Sequence, residues 1–564
     1  MPGPEIRHNL PRISLTTCCN KFTTDHRAIS ENRLYLEGGD PSLPKHTQVL
    51  VVGGGPAGSY TASVLARDGL QVVLLESAQL PRYHVGESLI PSVRRYLKFI
   101  DAEPKFVDYG FAVKPGAAFK FDRSKRDGYF DKLLLDHARQ SGVDVYEQTR
   151  VTSIQFSHVD TARPVAAVWT STSASGETGI ISFDFLVDAS GRAGLMSTKY
   201  LRNRIYNEVL KNIAIWGYWR NGRVYGRNTP REGAPWFESL QDGTGWAWYI
   251  PLHDGTTSVG IVVNQKSHNE KGKLLPNLST ESRYREYILL APMVHDLLAE
   301  GELVARPSIS GPSGSLDPLV RSASDFSYSA DSYAGPSFRI VGDSAAFIDP
   351  LFSSGVHLAM TSGLSAAASI CASIRGDCSE SIAASWHTKR FSLSYTRYQL
   401  TVLSLYQVIW GTKLDILDEV NKDDFDQIFS VLRPVLQGST DMGLRLTEGE
   451  IQEALDLCNK IVTVEQPAGT QRQGLPSDPL DMAAPPAHPE MVETALNNAN
   501  SQSDKTQTSD AECNDTEDGK IIWEVVNPHQ VVLFEKGTNT LEVENIDGYA
   551  VRLERGYLGL QKVN

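Results

Sequence analysis

The chain has 564 residues, an apolar share of 41% and a formal net charge of -13, which suits a globular protein of more than one domain with a sizeable core. An acidic chain of pI near 5.5 offers no basic surface for a phosphate backbone, so nucleic acid is excluded as a partner and small organic substrates fit better. The six cysteines, Cys18, Cys19, Cys371, Cys378, Cys458 and Cys513, lack metal-ligand spacing and do not form a secreted disulfide framework, and a reducing, cytoplasmic location is expected.

Residues 1–46 read as an irregular N-terminal extension whose prolines and charges leave no apolar signal-peptide core. HTQVLVVGGGPAGSYTASVLARDGLQVVLLE then runs from an apolar strand through a glycine turn and a small-residue helix to a second strand, a β-α-β unit. Strand-like and helical segments alternate to about residue 385, and the class is α/β with a second, inserted sheet. Helical spacing dominates 386–464. Its most apolar stretch, Tyr398–Gly411, is too short for a membrane span. Residues 465–520 are rich in Pro, Ser, Thr, Asn and Gln and read as a disordered insertion. Residues 521–564 carry short β-branched runs expected to form a small meander docked on the main body.

Gly53, Gly55 and Gly58 stand in a G-x-G-x-x-G turn directly after a strand, with Ala57 inside it and Glu76 closing the next strand. Such glycines let backbone amides at a helix N-terminus approach a pyrophosphate, and a carboxylate about 20 residues on binds ribose hydroxyls. The alternative of an unliganded glycine turn does not account for the strand–turn–helix context. FLVDASGRAG (Phe185 to Gly194) and FRIVGDSAAFIDPLFSSGVH (Phe338 to His357) resemble the second and third nucleotide-contacting segments of glutathione-reductase-like flavoproteins. That resemblance selects FAD and places Asp343 at the ribityl and phosphate end, where it is also a candidate N-cap of a following helix. No second fingerprint points to a separate NAD(P)H domain.

Trp246, Trp248, Ile250 and Pro251 stand in W-x-W-x-I-P order, and Phe347, Pro350, Ser353 and Gly355 in F-x-x-P-x-x-S-x-G order. Alone, two tryptophans at i and i+2 are an ordinary sheet-face pair. Together with the flavin segments, these motifs resemble the flavin-dependent halogenases from about Val49 to Lys460, and PRYHVGESLIPS and VKPGAAFKF narrow the resemblance to the fungal, phenol-directed, polyketide-tailoring members. The resemblance implies a glutathione-reductase-like FAD-binding fold with an inserted substrate sheet and a mostly helical C-terminal cap. It implies FADH2 from a separate flavin reductase, chloride as co-substrate, and hypochlorous acid passed to an essential lysine, Lys114, with Lys120 as the competing position. It further implies halide contacts at Ser354 and Gly355, Val356 against the isoalloxazine, and a flavin/substrate barrier formed by Trp246, Trp248, Ile250 and Pro251. Two departures stand out: Phe352 replaces the glutamate of the tryptophan halogenases, and RSKRDGYFD alters the spacing that would make Arg126 a flavin contact. The first favours a phenolic secondary-metabolite substrate, with the base for the phenol unassigned. Tyr395, Tyr398, Tyr406 and Trp410 are read either as a roof on the substrate pocket or as packed core. The alternatives are a single-component flavin-dependent phenol monooxygenase and a non-catalytic flavin-binding scaffold.

Overall fold

The computed structural model describes residues 43–409 and 545–563, apart from 112–128 and a few shorter gaps at 85, 91, 175, 208, 229–231, 275, 309–314 and 325–326. Lys114, Lys120 and Arg126 therefore lie outside the described residues, as do Trp410 and the expected insertion at 465–520.

The apolar run at the start becomes β1 (His46–Val52), followed by α1 (Pro56–Arg67) and β2 (Val72–Leu75). Val49, Leu50 and Val51 are fully buried, because β1 is flanked in parallel by β2 on one side and by the later strand Thr178–Asp188 on the other. A strand covered on both faces has no polar side to alternate with, hence its unbroken apolar sequence. After two short helices, Ser92–Phe99 and Glu103–Tyr109, come α2 (Tyr129–Gln140), β3 (Asp144–Tyr146), β4 (Thr149–Phe156), β5 (Pro164–Ser171) and β6 (Thr178–Asp188). Strand β3 extends the parallel sheet beyond β2, while β4 and β5 join it as an antiparallel arm through β6.

The inserted sheet is antiparallel and six-stranded, built from β7 (Asn212–Arg220), β8 (Trp236–Ser239), β9 (Gly245–Pro251) and β10 (Thr257–Asn264), with the short strands Glu302–Val304 and Val320–Ser324 both paired to β7. Strand period 2 sorts its side chains. Ile215, Trp219, Ala247, Tyr249, Val259 and Ile261 pack against the helices Thr280–Ile288 and Pro292–Leu298 in one core. Ala214, Trp216, Trp246 and Trp248 face the other way, toward a cavity. The chain then returns to the parallel sheet as β11 (Phe338–Ile340), which pairs with β6.

Helix α3 (Gly355–Arg375) lies against α1, and Gly363 lets them close up, since a Cβ there would sit 2.6 Å from the Thr61 Oγ1. Among the described residues α3 is the one helix long and apolar enough to cross a membrane, and it is buried within the protein. Tyr398–Gly411 stands out more than α3 in the sequence because alanines and serines make α3 less conspicuous, yet they are what close helix packing needs. Helix α4 (Glu380–Ile409) crosses the expected 385/386 boundary without a break. At the C-terminus, Tyr549–Arg552 and Gly559–Lys562 form a hairpin whose Val551, Leu558 and Leu560 join the core of the nucleotide-binding layer. Arg375 ties it to the body through the Leu558 carbonyl and the Asp68 carboxylate.

Candidate active site

One cavity of about 960 Å³ runs from the glycine turn after β1 to the tryptophan face of β9, at the upper end of the range of roughly 300–1,000 Å³ usual for small-molecule sites. The three fingerprint glycines have different reasons to be there. Gly53 has φ +108°, and a Cβ on it would lie 2.2 Å from the Ala189 carbonyl oxygen; one on Gly58 would lie 1.9 Å from the Gly53 carbonyl. Both are demanded by the chain's own packing, and Gly58 does not line the cavity. Gly55 is different: a Cβ there meets nothing within 4 Å, its φ of -72° suits any residue, and it opens onto the cavity as the N-cap of α1. Gly55 leaves open space at the cavity wall. The first amides of a helix lack intrahelical acceptors, so this opening is suited to a phosphate.

Glu76 is buried at the end of β2. Its Oε2 accepts from the Gly54 N–H at 2.6 Å and its Oε1 from the Ala78 N–H at 2.8 Å, which fixes the turn and points the carboxylate at the cavity. Ala57 and Asp343 line the same end. Asp343 sits inside a short 3-10 turn, Gly342–Ser344, and not at an N-cap; α3 begins twelve residues later, after a second 3-10 turn. Burial raises the Asp343 carboxyl above its ordinary range, opposed by His84, Arg192 and Arg204. Asp131 on α2 carries no motif signal in the sequence; it is buried at this end, with one carboxylate oxygen unpartnered among the described residues, and burial raises its pKa against the opposing pull of His84 and Arg82. An open glycine, free helix amides and carboxylates placed for hydroxyl groups fit the pyrophosphate, ribose and ribityl parts of FAD.

The turn Pro350–Phe352 is capped by Asp349, which accepts from the Leu351 N–H at 3.1 Å, and leads through Ser353 at φ 55° into α3. Gly355 and Val356 line the cavity, and a Cβ on Gly355 would meet nothing within 4 Å. Ser354 does not line it. As N-cap of α3 its hydroxyl makes no capping hydrogen bond and, among the described residues, is buried without a partner; any contribution to halide binding falls to its backbone. The amides that open α3 offer partial positive charge without a covalent ligand.

Trp246, Trp248, Ile250 and Pro251 line one side of the cavity. Gly260 directly opposite Trp248 makes room for it, since a Cβ would lie 2.1 Å from the Trp248 Cζ2. The Trp248 Nε1–H donates to Ser258 at 3.1 Å. The Trp246 Nε1–H donates to the Tyr406 hydroxyl at 2.9 Å, which itself donates to Asp349 at 2.8 Å, while Asn212 donates to the same carboxylate oxygen at 3.0 Å. Burial raises Asp349 to about 6. Tyr395, Tyr398 and Tyr406 are buried and do not line the cavity; they are packed core, with Tyr406 bonding to Asp349 in place of roofing a pocket.

Two further lining groups lie beside the sheet. Glu87 accepts from the Tyr218 hydroxyl at 2.6 Å, and Tyr218 meets Tyr83 at 2.9 Å; burial raises the Glu87 carboxyl. His253 stands in the hairpin between β9 and β10. Glu87 lies within PRYHVGESLIPS, a segment of the resemblance in which no single residue stands out, and His253 belongs to no motif.

A family model described as tryptophan halogenase matches residues 48–130 and 108–273. The flavin-dependent halogenase armH4 of Armillaria mellea is 42% identical over 553 residues, covering 93% of this chain and 99% of its own. Flavin-dependent halogenase ascD of Acremonium egyptiacum is 45% identical over 448 residues, covering 74% of this chain and 78% of its own. Among solved structures, the myxobacterial chondrochloren halogenase CndH superposes with a TM-score of 0.57 at 27% identity, covering 75% of this chain and 99% of that one.

Proposed function

The chain belongs to the flavin-dependent halogenases, FAD-dependent enzymes of this fold, and from that premise we propose that it chlorinates an electron-rich phenolic ring by way of hypochlorous acid handed to Lys114. The observation that carries the reading is the continuity of one cavity from the open Gly55 turn to the Trp248 face of the inserted sheet. FAD, reduced by a separate flavin reductase, supplies there the electron pair that lets oxygen oxidise chloride. Gly53, Gly55, Gly58 and Glu76 would hold the nucleotide, Ala57 and Asp343 would flank it with Val356 against the isoalloxazine, and the backbone of Ser354 and Gly355 at the start of α3 would attract the halide. Trp246, Trp248, Ile250 and Pro251 keep the ring to be halogenated on the far side. An ammonium at Lys114 hydrogen-bonds hypochlorous acid, and its neutral form makes a haloamine.

The phenolic preference is supported by Phe352. This side chain is buried in the turn before α3, where the tryptophan halogenases carry a glutamate, so an indole would meet no carboxylate there. A phenol is activated by its own oxygen. The test is mass spectrometry of resorcinols and indoles incubated with the protein, FAD, a flavin reductase, NADH and either chloride or bromide. The expected result is chlorinated resorcinol with unmodified indole; chlorinated indole with untouched resorcinol overturns the substrate class.

A further inference from the structure

The nucleotide-binding layer and the inserted sheet have separate apolar cores, and along one edge of the cavity a group of polar side chains joins them. Asp349 stands at its centre. Its Oδ1 accepts from the Leu351 N–H at 3.1 Å and so holds the turn that leads into α3. Its Oδ2 accepts from the Tyr406 hydroxyl of α4 at 2.8 Å and from the Asn212 Nδ2–H of β7 at 3.0 Å. The Tyr406 oxygen in turn accepts from Asn212 at 2.9 Å and from the Trp246 Nε1–H of β9 at 2.9 Å. One carboxyl group thus ties the turn to two strands of the sheet, with a separate oxygen for each task.

Pro350 and Gly355 on the turn side and Trp246 on the sheet side line the cavity, whereas Asn212, Asp349 and Tyr406 are buried and do not line it. The group therefore stands behind the line along which the turn meets the tryptophan wall. Its members satisfy one another away from water. Removing one leaves the others unpaired in a low-dielectric interior, and the relief is either a water drawn in or a shift of the elements that carry them. Both open the line between turn and wall.

We propose that Asn212, Asp349 and Tyr406 are positioning residues that clamp the halide-facing turn against Trp246 and close that line to water, so that hypochlorous acid formed beside the turn leaves along the cavity toward the ring and not into solvent. The inference rests on the reading above, in which hypochlorous acid arises at the start of α3, and adds to it the residues that retain the oxidant. They touch no reacting group. They act through Trp246 on one side and through the turn on the other.

The experiment uses the full chain with FAD, a flavin reductase, NADH, chloride and resorcinol, with and without a large excess of taurine, whose amine takes the chlorine of free hypochlorous acid to give the N-chloramine and water. Wild type should form chlororesorcinol in an amount that taurine leaves unchanged. Tyr406→Phe keeps the ring and removes the hydroxyl, and the ratio of chloramine to chlororesorcinol should rise at least about 10-fold, while FAD affinity and the consumption of reduced flavin by oxygen stay close to wild type. Trp246→Phe cuts the same link from the other side and should raise the ratio likewise; the double variant should be no worse than either single one, as residues acting as a unit are not additive. A Tyr406→Phe protein with the wild-type ratio overturns the proposal. So does a fall in total chlorinated product at an unchanged ratio, which marks a merely structural role, and so do effects that multiply in the double variant. Where Tyr406→Phe fails to bind FAD, Trp246→Phe decides by the same ratio. A wild type that loses its chlororesorcinol to taurine has no closed line and overturns the proposal while leaving the hypochlorous acid reading intact; a wild type that yields neither product overturns that reading and this inference with it.

Discussion

Replacing Gly55 with valine separates what the fold needs from what the cofactor needs. The new Cβ meets no protein atom within 4 Å, and φ -72° with ψ -174° is ordinary extended backbone. Loss of a glycine from the unfolded chain is worth about 0.4–1 kcal/mol in favour of the variant, offset by valine's poorer fit at an N-cap. Net stability should therefore stay within about 1 kcal/mol of wild type. Yet the side chain projects into the space proposed for the pyrophosphate, and FAD affinity should weaken at least about 100-fold, or about 2.7 kcal/mol. Gly58→Ala is the opposite case, with a Cβ 1.9 Å from the Gly53 carbonyl oxygen; overpacking there should cost about 1–3 kcal/mol or more. Thermal melting of the FAD-free proteins and titration of FAD by flavin fluorescence read the two quantities apart. A Gly55→Val protein that melts like wild type and binds FAD equally well refutes the assignment of this opening to the cofactor.

Lys114→Ala should lower chlorination about 100-fold or more while reduced flavin is still consumed by oxygen, and Lys120→Ala should keep most activity; product analysis beside oxygen uptake distinguishes them, and the reverse pattern moves the lysine role to Lys120. Asp349, raised to about 6 from 3.8, binds its proton more tightly in the folded state, so the stability it lends is complete below about pH 4 and is lost as pH rises through about 6, by about 3 kcal/mol. Melting curves of wild type and Asp349→Asn from pH 4 to 7 should diverge by that amount in the wild type's disfavour, and parallel curves would contradict the buried acid. Deleting 465–520, whose composition cannot support a packed core, should leave melting temperature and turnover close to wild type.

The glycine turn and the sheet faces were legible because local pattern decides them. An apolar run before G-x-G-x-x-G forces a buried strand, and W-x-W at period 2 forces both rings onto one face of β9. What was not legible depends on distant partners. Asn212, Asp349 and Tyr406 meet in one hydrogen-bonded group although 137 and 57 residues separate the pairs, so sequence alone leaves Tyr406 open between pocket roof and packed core. Glu87 and Tyr218, 131 residues apart, and His253, in a turn whose sequence shows only Asp-Gly chemistry, gave no periodic signal at all. Gly53, Gly55 and Gly58 look alike in a motif; only the neighbours of each absent Cβ show that two serve packing and one opens onto the cavity.

The central claim is tested most directly by a single turnover without NAD(P)H. The protein is loaded with photoreduced FAD under anaerobic conditions and then mixed with oxygen, chloride and resorcinol, and the products are read by mass spectrometry. The account predicts chlororesorcinol, carrying the chlorine isotope doublet, in an amount that does not exceed the flavin. A hydroxylated resorcinol, formed equally well without chloride, would contradict it.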